Sequence, residues 1–142
     1  MTPRRSSRSD CPINKSLETW GDKWSLLIIR DLMFEGKRTY GDFRKSPEGI
    51  ATNILASRLK KLQETGVIVS RLPQEGETVT GYALTQKGID MLPVMLEIYL
   101  WAEKHFDIPK HVQEILDVVR SDKGAFASET VERLQKESRP HS

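Results

Sequence analysis

Within residues 51–65 the side chains able to do chemistry lie opposite a repeating apolar row. Leu55, Leu59 and Leu62 recur at helical spacing, and Asn53, Ser57, Lys60, Lys61 and Glu64 cluster on the other side, with Thr52 and Arg58 on the flanks. The outward set is an amide, hydroxyls and cations. Amides and hydroxyls suit base edges or phosphate oxygens, and Lys and Arg add long-range attraction to a polyanion. At 1.5 Å per residue the segment is roughly 22 Å long, enough to lie in a major groove. The plain alternative is a solvated amphipathic helix whose lysines serve solubility. The surrounding sequence shifts the balance. From Lys37 to Lys61 there are seven basic residues (Lys37, Arg38, Arg44, Lys45, Arg58, Lys60 and Lys61) against two acids, Asp42 and Glu48. Asn53, Thr52 and Ser57 are therefore candidates for base contacts. Arg58, Lys60, Lys61 and Arg71 are candidates for phosphate or groove contacts, and Arg38 and Thr39 for the DNA backbone.

Other reactive side chains are few. Cys11 is the sole cysteine. Standing before Pro12, its sulfur would lie at a helix N-terminus beside an arginine-rich segment, which lowers a thiol pKa. Two readings stay open for it: a sensor of electrophiles or oxidants, or a small capping residue. Trp20, Trp24, Tyr40, Phe43, Tyr99 and Trp101 could line a ligand pocket, but their spacing favours core or dimer packing. His105, His111 and His141 have no second ligand at metal spacing, so neither metal nor cofactor is expected. No phosphate-binding glycine loop, catalytic triad order or defensible carboxylate pair is present, which argues against an enzyme.

The elements that must hold these groups follow from punctuation and periodicity. Residues 1–10, with Arg4, Arg5 and Arg8, read as a flexible basic arm. Pro12 opens a first helix with Ile13, Leu17 and Trp20 on one stripe, broken by Gly21. Asp22 caps a second helix through Phe34, with Trp24, Leu27, Ile28 and Leu32 inward and Gly36 as its stop. Thr39 and Asp42 form a capping-box pair on a short third helix whose Tyr40 and Phe43 face the core. The helix Ala51–Thr65 ends at Gly66. Val67–Leu72 and Val79–Leu84 then read as a hairpin around a polar turn. Thr85 caps a fifth helix, stapled by Leu84 and Ile89, and Pro93 kinks it or begins another. Leu92, Leu96, Tyr99 and Leu100 continue an apolar face towards Phe106. Two short helices, Pro109–Arg120 and Phe126–Glu137, complete the chain. The expected fold class is mainly α with a small β-hairpin, the winged helix-turn-helix arrangement.

Length and composition agree with a soluble chain of this kind. The chain has 142 residues, 30% charged and 37% hydrophobic, with a net charge of +2. A chain of this size should bury roughly 68% of its unfolded surface and needs no staple to fold. One cysteine allows no internal disulfide, which suits a reducing, cytoplasmic compartment. The apolar stretch Leu92–Ala102 is shorter than the about 20 residues a bilayer requires.

Residues 11–106 strongly resemble the HxlR-type transcriptional regulators, a winged-helix group related to MarR regulators. The resemblance is carried by Cys11-Pro12, Gly21-Asp22-Lys23-Trp24, Arg38-Thr39-Tyr40-Gly41-Asp42-Phe43 and Leu55-Ala56-Ser57-Arg58-Leu59 within Ile50–Leu62. It continues through Glu64-Thr65-Gly66-Val67-Ile68, Tyr82-Ala83-Leu84-Thr85-Gln86-Lys87-Gly88, Pro93 and Trp101. It implies a cytoplasmic homodimer that binds a palindromic operator in double-stranded DNA. The helix from Ala51 would be the recognition helix and Pro73–Thr80 the wing tip. The first helix and Leu92–Phe106 would form the dimer interface, through Ile13, Leu17, Leu92, Leu96, Tyr99 and Leu100. Ala51 stands where many relatives carry Ser, leaving Thr52 as the local hydroxyl. Residues 107–142 lie outside the resemblance and are expected to form a C-terminal helical extension. The rival is a winged-helix module for protein contact without operator binding. No small-molecule effector is named by these residues.

Overall fold

The computed structural model describes residues 7–73 and 75–138. Arg4, Arg5 and His141, and Gln74 of the expected wing tip, lie outside the described residues. Four helices come first: α1 (Pro12–Trp20), α2 (Ser25–Phe34), α3 (Tyr40–Arg44) and α4 (Thr52–Glu64). The strands β1 (Ile68–Arg71) and β2 (Gly81–Leu84) follow, then α5 (Gln86–Ile89), α6 (Leu92–His105), α7 (Lys110–Ser121) and α8 (Lys123–Ser138). The strands pair antiparallel, Ile68 opposite Leu84 and Arg71 opposite Gly81. Three helices, a long helix, a hairpin and a further helix are the winged helix-turn-helix order.

The junctions form for local reasons. Asp22 was expected to cap α2, but the N-cap residue is Trp24, which has no side-chain cap bond, and the helix begins at Ser25. Asp22 Oδ1 accepts from the amides of Trp24 and Ser25 at 3.0 and 2.9 Å, so Asp22 shapes a turn that α2 then continues. Gly36 follows α2 at φ 66°, a backbone conformation that glycine adopts without steric cost. Pro93 sits in the first turn of α6, where its missing N–H costs nothing, so a new helix begins there. Thr85 caps α5, accepting from the Gly88 amide at 3.3 Å, and Leu84 and Ile89 are both buried beside it. Gly88 is required: a Cβ there would stand 2.4 Å from the Val67 carbonyl oxygen.

One apolar core runs through the winged domain. Leu55, Leu59 and Leu62 of α4 meet Ile28, Ile29, Leu32 and Met33 of α2, Phe43 of α3 and Ile68 and Leu84 of the hairpin. Ile29 and Met33 are its most enclosed α2 residues, while Trp24 and Leu27 are only half-buried. The hairpin is fastened to the helices by the Tyr82 amide, which donates to the Arg38 carbonyl at 2.7 Å.

Both ends of the described residues are more integrated than the sequence suggests. The last residues of the expected arm fold back on α1, where Glu18 accepts from the Arg8 amide at 3.0 Å and from Ser7 at 3.1 Å. At the other end, α7 and α8 are separated by Asp122 alone. Val119 and Leu134 enter the common core, and Phe126, Ala127 and Val131 pack against it. The Arg133 guanidinium donates to the Met33 carbonyl at 2.7 Å, tying α8 to the end of α2.

Candidate nucleic-acid interface

The outer face of α4 is built as its periodicity predicts. Leu55, Leu59 and Leu62 are buried, and Thr52, Asn53, Ala56, Ser57 and Lys60 are exposed. Ala51 is the N-cap and supplies no side-chain cap bond. The first turn is held instead by the Tyr40 hydroxyl, which donates to the Thr52 carbonyl at 3.0 Å. At the far end Gln63 donates to the Ser70 hydroxyl at 2.9 Å, fixing α4 against β1. Lys60 stands 4.0 Å from Glu64 with both side chains in solvent, a pair worth little in water. Asn53, Ser57 and Lys60 thus form one accessible row of amide, hydroxyl and ammonium.

The start of α3 is committed locally. The Thr39 hydroxyl accepts from the Asp42 amide at 3.1 Å, and Asp42 Oδ2 accepts from the amides of Thr39 and Arg38 at 3.1 and 3.0 Å. The amide of Arg38, with lesser help from Thr39, holds the Asp42 carboxyl below its ordinary pKa against a partial burial cost. The Arg38 guanidinium lies 3.4 Å from Glu137, a residue of α8.

Arg58 and Lys61 are turned to one side by a carboxylate outside the helix. Arg58 Nε is 3.0 Å and Lys61 Nζ 3.8 Å from the two oxygens of Asp22. Burial pushes the Asp22 carboxyl up. Hydrogen bonds from the Ser25 hydroxyl and from the Ser25 and Trp24 amides, with the charge of Arg58, outweigh it and leave the pKa below its ordinary value.

Arg71 corrects the sequence reading. It was expected to reach outward from the hairpin, yet it is 8% exposed. It ends β1 opposite Gly81 and lines a small cleft with Arg38, Leu72 and Tyr82. Its Nε is enclosed without a hydrogen-bond partner among the described residues. Burial, then the charge of Arg38, push its pKa down, against Glu77 and Glu137. Arg71 therefore does not stand on the exposed surface of the wing.

The expected dimer residues separate into two groups. Ile13 and Leu17 of α1 are 71% and 51% exposed, an apolar stripe open to solvent. Leu92 and Leu96 instead belong to the core, and Tyr99 and Leu100 are half-buried, with Tyr99 packed edge-on to Phe34. The open apolar side of α6 is Pro93, Val94, Ile98 and Trp101, which line a shallow groove with Glu97. Phe106 extends it, its ring 5.8 Å from that of Trp101. The reason is phase: α6 has apolar residues on two adjoining faces, and α8 and the core take the face bearing Leu92, Met95 and Leu96. The run Pro93, Val94, Ile98, Trp101 was the available signal for the other face. Of the aromatic residues, Trp24 and Phe43 line one cleft, Trp101 lines the α6 groove, and Tyr99 lines a small cavity of about 130 Å³ with Leu96 and Ile115.

Cys11 is exposed at the N-cap of α1. No side-chain cap bond forms, but the amides of Asn14, first, and Ile13 lower the thiol pKa from its ordinary value. Among the described residues no helix is long and apolar enough to cross a membrane.

Comparison with known proteins agrees with this geometry. A family model described as HxlR-like helix-turn-helix matches residues 19–110. The HTH-type transcriptional regulator YdeP of Bacillus subtilis is 31% identical, over 68% of this chain and 75% of that protein. The crystal structure of PA1607 is 42% identical with a TM-score of 0.63, covering 73% of this chain and 71% of that one. The redox regulator HypR in its oxidized form is 26% identical with a TM-score of 0.58, covering 69% of this chain and all (100%) of that one. With the winged fold, the donor row on α4 and a family match across most of its length, the chain belongs to the HxlR-like helix-turn-helix family and is a transcriptional regulator of the HxlR/MarR type.

Proposed function

We propose that this regulator binds a palindromic DNA operator as a homodimer, with α4 of each copy in successive major grooves. The observation that carries the reading is the exposed row Asn53, Ser57 and Lys60, backed by a helix whose opposite face is locked in the core. Asn53, with Thr52 and Ser57, faces bases, and Lys60 meets phosphate. Arg58, Lys61, Arg38 and Thr39 border the row. The exposed apolar stripes of α1 and α6 suit burial against a second copy, which would set half-sites about one turn, or 34–36 Å, apart. Selection from a random DNA pool should return a palindrome with that spacing. Asn53→Ala should then lose about 1–3 kcal/mol of base discrimination, and Lys60→Ala should reduce the salt slope of binding by about 1 without altering sequence preference. DNA binding that is insensitive to salt would favour the protein-contact module instead.

A second reading concerns Cys11. Its exposure, its lowered pKa and the likeness to the redox regulator HypR support a role in sensing electrophiles or oxidants. The thiolate is the nucleophile, so alkylation should speed up with pH and level off at a lower pH than for a free thiol. Treatment with a quinone should then change operator affinity in the wild type and not in Cys11→Ser. Equal affinity before and after treatment of the wild type reduces Cys11 to a helix cap.

A further inference from the structure

We propose that Asp22 is a positioning residue for DNA recognition: from the turn between α1 and α2 it holds Arg58 and Lys61 on the flank of α4, restrains their contact with phosphate, and so favours the base-facing row over non-specific binding. The inference rests on the operator-binding reading and adds a determinant of specificity to it.

Three observations carry it. Asp22 lies outside the helix-turn-helix, yet its two oxygens face two cations of α4, at 3.0 Å and 3.8 Å. The pairing exceeds what the turn before α2 needs. Asp22 already accepts from the Trp24 amide, the Ser25 amide and the Ser25 hydroxyl. The hold on Arg58 is ionic rather than a formed hydrogen bond, because Arg58 Nε is enclosed with no aligned acceptor. The phase of α4 completes the argument. Arg58 and Lys61 sit on the side between the leucine row and the Asn53–Ser57–Lys60 row, with half-buried Ile54, where α1 and its following turn pack. Cations free on that flank would attract any duplex by charge alone, raising affinity without reading sequence. A carboxylate between them removes much of that indiscriminate attraction.

The test is Asp22→Asn, which keeps an oxygen to accept the two amides and removes the charge. Binding to the selected operator and to unrelated DNA is measured by anisotropy over a range of salt, with thermal unfolding alongside. The salt slope should steepen by about 1 or more as the cations become available to phosphate. Affinity for unrelated DNA should rise more than operator affinity, so the ratio of the two falls. Lys61→Gln and Arg58→Gln in the otherwise intact protein give an independent reading should Asp22→Asn fail to fold. Charges already held by Asp22 should leave the slope near the wild-type value when removed. A loss of about 1 in each variant, as for ordinary phosphate contacts, overturns the proposal. A folded Asp22→Asn with unchanged slope and ratio also overturns it. Wild-type binding without salt dependence overturns the operator-binding reading and this inference with it, whereas a normal wild-type slope with an unmoved variant overturns this inference alone.

Discussion

Thr39 carries two roles in the sequence, helix cap and DNA-backbone contact, and the structure shows how the first constrains the second. Its hydroxyl oxygen accepts from the Asp42 amide and its side chain also hydrogen-bonds the Asp42 carboxyl, so the hydroxyl is engaged locally before any outward contact. Thr39→Ala should therefore lower stability by about 1 kcal/mol, the usual cost of a lost cap, measured by chemical denaturation. A contact-only role would leave the unfolding midpoint where it is. Arg71 shows the opposite case. Its type and position on a hairpin suggest a phosphate contact, but it is buried at a place it shares with Arg38, Glu77 and Tyr82, and only the strand register brings Gly81, ten positions away, opposite it. The capping pair Thr39 and Asp42 was legible because its chemistry is local. Arg71 was not, because its surroundings come from three separate segments.

Among the elements, α4 follows its periodicity closely, since a single leucine row faces a single core. On α6 that simplicity fails. Leu92 and Leu96 were expected at a dimer interface but are consumed inside the chain, and Val94, Ile98 and Trp101 present the open face. The two groups should separate experimentally. Trp101→Glu should dissociate a dimer into folded monomers, read by sedimentation, because the indole is 56% exposed and its removal leaves no cavity. Leu96→Ala should instead cost about 2–5 kcal/mol of stability, as cavities in cores do. A Trp101→Glu protein that stays dimeric would place the interface elsewhere. The C-terminal pair α7 and α8 was expected as an extension of two helices, and the two helices are there. Their integration was hidden because the partners of Leu134 and Arg133 lie on α2 and in the common core, a hundred residues away in the case of Met33.

At the scale of the whole molecule, charge is where sequence distance and spatial distance diverge most. The window Lys37–Lys61 is strongly basic, but the fold supplies acids from outside it: Asp31 beside Lys37, Asp22 beside Arg58 and Lys61, and Glu137 beside Arg38. The interface is therefore less positive than its local sequence, with Lys60 the cation of the exposed row Asn53, Ser57 and Lys60. Acid should expose the same design. Contacts hold Asp22, Asp42 and Glu48 below their ordinary pKa values, Glu48 chiefly through the Arg30 guanidinium. The unfolded chain then binds more protons than the folded one, so stability rises with pH in this range. It should be fully present above the ordinary carboxylate values near 4 and fall as the pH drops through the depressed folded ones. Thermal midpoints from pH 6 down to about 2 check this, and a midpoint that does not decline would contradict the carboxylate contacts.

The sequence by itself determined the helices, the hairpin, the Thr39 and Thr85 caps and the outward row Asn53, Ser57 and Lys60, because each depends on residues within about four positions or on one repeating face. The tertiary structure alone decided that Arg71 turns inward, which face of α6 stays open, that α8 closes the core, and that Asp22 holds two cations of α4. Burial and ion pairing act through space, and the residues that create them are separated along the chain by turns and helices whose packing no local pattern records.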